Sequence, residues 1–484
     1  MINLSFCCLL LFVNITPQNI LGDRYSITPP LGEVKSITTS PLYVFAVSDN
    51  HLIFFDKQPL AIKKTIHFDH DIGLIGYDQQ YDDLWILGAS SIIRLTIAAY
   101  TIREYPFIGE INRFGIGHDY IYLDGIKDYS LNKKTGAIER IHSFPGDAKW
   151  YKKTTESDIR NYTFLTPYFY YDQPEESQAP LYEFPITALY DDGMYLYVGT
   201  YKYGILRYNK VSWLKERIVY GPLDLELKKV RKFDNRIYFV SSLGLSYYQI
   251  GVGDWHYQRF NDQIGDILFL ENNFIVSFEN RISRVNGNIT LTLRTLDTDI
   301  LCLSSDNTYI YVGTNSGLLK IYKNTTEPIP FGPDRYPVNT VYSTEDNVFV
   351  GGEFAFYQYN KEKEFWVKVL PFGVKDIVEI NDNLYLLGVN NQIIRYSKGD
   401  QDLLGSDTNW ILLPYFNIYD IDTDHEVLYC ASYAGIYYYE PETELYKVVY
   451  NLPRVKYKYV FLADTNIIAV TDKNIYSLPT AFRD

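Results

Sequence analysis

The sequence is poor in the residues from which most catalytic and redox sites are built. Among its 484 residues are 7 His, 4 Cys and 2 Met. It contains no C-x-x-C pair, no G-x-S-x-G elbow and no G-x-x-x-x-G-K-[ST] loop, which excludes thioredoxin-like, α/β-hydrolase and P-loop chemistry. Positive charge is scarce as well. Lys and Arg number 45 against 59 Asp and Glu, for a net charge of −14. Nucleic-acid backbones and anionic lipid need clustered cations, so neither is an expected partner. No apolar run reaches the roughly 18 residues of a membrane helix.

One short apolar run is present at the start. Leu4 to Val13 reads LSFCCLLLFV and is followed by polar residues up to Gly22-Asp23. That length suits the core of a signal peptide and is short for a span. We therefore expect a signal peptide over residues 1–22 and an exported protein, secreted, periplasmic or on the cell surface. Once the signal is removed no membrane insertion is expected. Cys302 and Cys430 then remain, both inside strand-like runs, and free buried thiols are the expectation.

What the sequence does have is aromatic and repetitive. It carries 47 Tyr and 27 Phe, side chains that favour strands. DDGMYLYVGTYKYGILRYN at 191–209 and SDNTYIYVGTNSGLLKIYKN at 305–324 share a polar turn, an alternating strand, Gly-Thr, a second Gly and another strand ending at Tyr. Weaker copies start near 82, 345, 381 and 424, and each reads as a hairpin. A second marker is an aromatic residue or Leu that closes each unit. It recurs from Phe68 and Phe107 to Phe416 and Leu452, eleven marks spaced 35 to 44 residues apart.

A unit of that length with four short strands is the blade of a β-propeller. The expected fold is all-β, with about twelve four-stranded blades. Propellers usually hold roughly 4 to 8 blades, so two are expected, six plus six or five plus seven. The expected regions are 23–260 for the first propeller and 261–484 for the second. The least regular unit, 145–184, offers AKWYK, NYTFL, YFYY and LYEF as strands, with KTTESDIR as a loop. The last unit stops after three strands. Arg24-Tyr25-Ser26-Ile27-Thr28 is a strand-like run without a unit, and we expect it to close that final blade.

The YVGT…G-[IL]-L…Y pattern resembles the propeller repeat of two-component regulator sensors. The matching residues are Gly199, Thr200, Gly204 and Tyr208, and Gly313, Thr314, Gly317 and Tyr322. Trp before the glycine stands only at Trp85, with Tyr or Phe elsewhere. The resemblance implies an exported two-propeller module that senses a ligand or assembles with surface proteins. Sensors of this kind continue into a membrane helix and a kinase. Neither has a counterpart in this sequence, so no signalling across a membrane by this chain alone is expected.

Three clusters were weighed as chemistry. His67, Asp69, His70 and Asp71 supply metal-ligand types, yet His70 faces away from the other three on a strand. Asp420, Asp422 and Asp424 open like a calcium loop. His425 stands where its Gly belongs and Ala431 where its Glu belongs, so a solvated entry to a hairpin is expected. Trp255, Trp366 and Trp410 precede unit-closing Phe residues and are read as outer-strand packing. No catalytic, cofactor-binding or metal residue is nominated, and no cofactor is expected. The expected function is a non-enzymatic module binding a ligand, an envelope or extracellular protein, or a glycan. The alternative is a glycan-cleaving hydrolase or lyase with carboxylates in a cleft between propellers.

Overall fold

The computed structural model describes residues 18–19, 24–165 and 185–483, apart from 251, 261, 271–272, 287–288, 324, 326, 398–408 and 412–416. Strands hold 61% of the chain and helices 2%, which makes the protein all-β. The expected signal peptide lies outside the described residues, except that Gln18–Asn19 pairs with the edge of the strand Thr101–Pro106.

The described strands form eleven antiparallel sheets, nine of four strands and two of five; eight are simple meanders, and three add a strand from elsewhere in the chain. We number these blades 1 to 11 in chain order, starting at residues 34, 72, 111, 186, 227, 264, 300, 338, 374, 418 and 459. In most blades the second strand is the most buried, as in Tyr195–Thr200 and Tyr309–Thr314. Neighbouring blades cover both of its faces, and this explains the nearly continuous apolar and aromatic runs that mark the repeat.

The chain divides into two compact units. The first includes Gly32–Tyr171 and Phe184–Ile218, and the second Arg24–Leu31 and Val219–Asp484. The boundary expected at 260/261 therefore falls at 218/219 instead. Blade 5, Leu227–Gln258, belongs with the second unit because its core is shared there. Leu227, Ile237 and Phe239 pack with Phe461, Ala463 and Val470 of blade 11.

The second unit is a closed ring of seven blades, with consecutive inner strands side by side from blade 5 to blade 11. Ring closure is a bond from the Tyr459 hydroxyl to the Leu227 carbonyl at 2.7 Å. Blade 11 takes three strands from 459–479 and its outer strand from Ser26–Thr28, with Ile27 opposite Tyr476.

The first unit holds four complete blades. Blade 4 meets blade 1 through the Thr187 hydroxyl, which donates to the Val34 carbonyl at 2.7 Å. Among the described residues the irregular unit 145–184 forms no blade of its own, against the twelfth expected. Of the irregular unit, Lys149–Lys152 is a strand, but it pairs with Ile111–Ile116 as a fifth strand of blade 3. KTTESDIR is not a loop, since Glu156–Arg160 is a helix with a capping box between Thr155 and Asp158. NYTFL is not a strand, because Thr163–Leu165 is a 3-10 turn. YFYY and LYEF lie outside the described residues. Tyr151 anchors the added strand: its hydroxyl donates to the Tyr77 carbonyl at 3.1 Å. Gly76 leaves room for that ring, since a Cβ there would lie 2.7 Å from it.

Candidate functional site

The inner strands of the second unit line its axis, and their sequence concentrates charge there. Lys229 and Arg231 stand on blade 5, Asp266 on blade 6, Asp376 on blade 9, and Asp420 and Asp422 on blade 10. Asp266 is fully buried. Arg231 grips it with Nε at 3.1 Å and Nη2 at 2.7 Å. Burial pushes the Asp266 carboxyl up, but the charges of Arg231 and Lys229 with the hydrogen bonds from Arg231 and Leu303 together outweigh it and hold the pKa below the usual carboxylate range.

The other three carboxylates go the opposite way. Burial pushes Asp376 up. Burial and then the charge of Asp376 push Asp420 well up. Burial raises Asp422 to about 6. All three are largely buried on the inner strands. Two of them join neighbouring blades. Asp420 accepts the Val460 N–H at 2.9 Å, and Asp422 accepts the Leu462 N–H at 2.7 Å. Asp266 does the same for Leu303 at 3.0 Å. The expectation of a solvated hairpin entry at 420–424 is thus corrected. Alternation places Asp420 and Asp422 on the axial face, and only Asp424 caps the turn, accepting the N–H groups of Glu426 and Val427.

A different kind of site lies on one face of the second unit, between blades 7 and 8. It is an open groove of about 830 Å³ between turns that join successive strands of the two blades. Its wall is aromatic. Phe331 meets Tyr359 at 4.6 Å and Trp366 at 5.1 Å, and Tyr309 meets Tyr322 at 4.5 Å, centroid to centroid. Phe331, Tyr309 and Tyr359 are half-exposed. The Lys320 ammonium lies 4.3 Å over Phe331 and 4.8 Å over Tyr309.

The polar side of the groove is Asp306 and Lys361, paired at 2.7 Å. Asp306 also accepts the Tyr311 hydroxyl at 2.7 Å and the Tyr309 N–H at 2.7 Å. Burial works against this carboxylate, but Lys361 and the other donors win and hold its pKa at about 2. Tyr309, hydrogen-bonded to Tyr322, is pushed up to about 12. The groove therefore sets flat aromatic faces beside the Asp306–Lys361 ion pair.

The residues singled out from sequence are scattered by comparison. Trp255 and Trp366 stand on outermost strands, as does Trp410 in Asn409–Ile411. Trp366 donates its Nε1–H to the Phe331 carbonyl at 2.8 Å, so it backs the groove wall. His67 lies 3.1 Å from His51, Asp71 pairs with Lys35, and the Asp69 side chain is exposed. Among the described residues no three His, Cys, Asp or Glu side chains converge as metal ligands. Cys302 and Cys430 are free and buried. Sequence reasoning did not single out the axial carboxylates of blades 6 and 9 or the groove. The groove's rings come from different strands of two blades, and no linear motif joins them.

No protein-family model matches the chain, and no curated protein matches its sequence. Solved structures of similar architecture do. One is the extracellular domain of BT4673 from B. thetaiotaomicron, assigned to a hybrid two-component system. It is 13% identical with a TM-score of 0.42, over 92% of this chain and 70% of that one. PorZ, a surface component of the type-IX secretion system of Porphyromonas gingivalis, is 13% identical with a TM-score of 0.34, over 92% and 79%. The WD40 propeller of Doa1 is 11% identical with a TM-score of 0.43, over 54% and 95%. Nothing about ligand or partner passes from these proteins to this chain.

Proposed function

We propose that the protein is an exported, non-enzymatic binding module of the cell envelope, and that it takes a glycan in the groove between blades 7 and 8. The groove carries the reading. Half-exposed rings of Tyr309, Phe331 and Tyr359 suit the apolar faces of sugar rings, and Asp306, Lys361 and Lys320 suit their hydroxyls. The sequence resemblance to sensor propellers supports the same reading. Catalysis by paired carboxylates is disfavoured because Asp266, Asp420 and Asp422 are occupied in joining blades.

A glycan array with the purified chain tests this, together with Phe331→Ala and Tyr359→Ala. Each variant should weaken binding by about tenfold, as loss of one stacking platform costs roughly 1–1.5 kcal/mol. An array with no bound glycan, or unchanged binding by both variants, overturns the proposal. A reducing-end assay on any bound glycan reads the enzymatic alternative. Pull-down from an envelope fraction reads a purely protein-binding one.

A further inference from the structure

The first unit has a cavity that the glycan reading leaves unused. It measures about 280 Å³ and lies between the inner strands Val34–Thr39 and Ile186–Asp191, the added strand Lys149–Lys152 and the helix Glu156–Arg160. In a chain of net charge −14, its lining is basic: Lys35, Lys149, Lys152 and Lys153 against Asp158 and Asp191.

Both carboxylates are already engaged. Asp158 takes Lys152 at 2.8 Å and the Thr155 hydroxyl at 2.7 Å. Asp191 takes Lys210 at 2.7 Å and the Tyr162 hydroxyl at 3.0 Å. Lys35 is neutralised by Asp71. Lys149 is different, for its partners are phenols. Its ammonium donates to the Tyr190 hydroxyl at 3.3 Å and lies 5.3 Å over the Tyr151 ring. Burial works against its charge, yet Tyr151 and Tyr190 outweigh burial and hold its pKa above the ordinary lysine value. Lys149 is thus a charged donor held in place beside the cavity, and Lys153, four residues further on, also lines it.

We propose that this cavity binds a compact anion bearing a phosphate or carboxylate group, no larger than a monosaccharide, with Lys149 and Lys153 as the charged donors and Tyr190 as a neutral one. The volume sits just below the roughly 300 Å³ at which drug-sized ligand pockets begin, which limits the ligand to that size. Lysine ammoniums suit phosphate and carboxylate as movable point charges.

Lysine acylation footprinting by mass spectrometry, on the full chain, reads the site directly. Inorganic phosphate and D-glucuronate are the two probes, each against sodium chloride of equal ionic strength. Either probe should protect Lys149 and Lys153 while exposed Lys473 labels unchanged, and which probe acts at lower concentration distinguishes phosphate from carboxylate. Calorimetry on Lys149→Gln should show binding about tenfold weaker, the worth of one charge-assisted bond. Lys473→Gln should bind as wild type. Equal labelling in chloride and in both probes overturns the proposal. So does undiminished affinity in a Lys149→Gln/Lys153→Gln double variant.

Discussion

At the scale of single residues, the Gly-Thr pair that announces the repeat has a mechanical basis. The Thr200 hydroxyl donates to the Gly204 carbonyl at 2.7 Å, and Thr314 to Gly317 at 2.8 Å. Ser432 does the same for Gly435, Ser241 for Gly244, and Thr471 for Asn474. All five hydroxyl residues are buried. A hydroxyl at the end of the second strand therefore ties the start of the third, and Ser serves where the copy has lost its Thr. Gly204 and Gly317 have φ of +87° and +137°, values that a β-branched side chain resists. Gly317→Val should cost roughly 1–3 kcal/mol and lower the melting temperature. An unchanged melt would contradict the role given to this turn. The thiols permit a second test. Burial pushes Cys302 up to about 12 and Cys430 higher still, so neither forms thiolate at neutral pH. Native protein should resist thiol-directed alkylation at both positions, and denatured protein should label at both. Labelling of the native form would show a looser core.

At the scale of the element, one irregularity recurs in almost every blade. The innermost strand slips register near its start in ten of the eleven, as at Leu227/Lys229, Ile300/Cys302, Val374/Asp376 and Ile418/Asp420. Such a bulge re-aims the next side chain, and in the second unit it brings Lys229, Cys302, Asp376 and Asp420 to matching places in the ring. The signal existed in the sequence, as an aliphatic residue, one spacer, then a polar or small residue at each unit start. It was hidden because hairpins are read by alternation, and a bulge breaks alternation by one residue. For the same reason Asp420 and Asp422 look like a turn entrance in the sequence and prove axial in the fold. Their burial has a titration signature. Asp422 has a folded pKa of about 6 against the ordinary aspartate value of 3.8. The folded state then holds its proton more tightly, so the stability this gives is full below about pH 4 and is lost as pH rises through about 6. Asp422→Asn keeps an acceptor for the Leu462 N–H and removes the loss. By denaturant unfolding, the variant should match wild type near pH 4 and exceed it by about 1–3 kcal/mol at pH 8. An equal difference at both pH values would contradict the burial argument. Asp306 has the opposite sign, with its contribution present above pH 3.8 and lost as pH falls toward 2.

At the scale of the whole molecule, the blade count follows from repeat spacing, and the one unit that forms no blade among the described residues has a local cause. Residues 145–165 have the length and aromatic content of a blade's first half. Yet Thr155 and Asp158 cap a helix where a loop was expected, Thr163–Leu165 is a 3-10 turn where a second strand was expected, and Tyr151 commits the first strand to blade 3. Spacing registers length and not pairing, so it could not see this. The closing strand was easier to read, because an orphan run at one end and a blade lacking its outer strand at the other complement each other. Deleting residues 24–30 should expose the edge Ile475–Ser477 and lower the melting temperature, although those residues supply little of the core. A truncated chain that melts like the full one would sink the pairing. The same closure sets a timetable during synthesis. Ser26–Thr28 leaves the ribosome early, and its partner Ile475–Ser477 follows almost 450 residues later. At roughly 5–20 residues per second, that strand waits some tens of seconds for its place in the ring. Throughout that interval the second unit is an open arc with unpaired strand edges, while the blades of the first unit are already complete in sequence. A chaperone that shields β-edges would therefore matter most for this protein just before Ile475–Ser477 emerges.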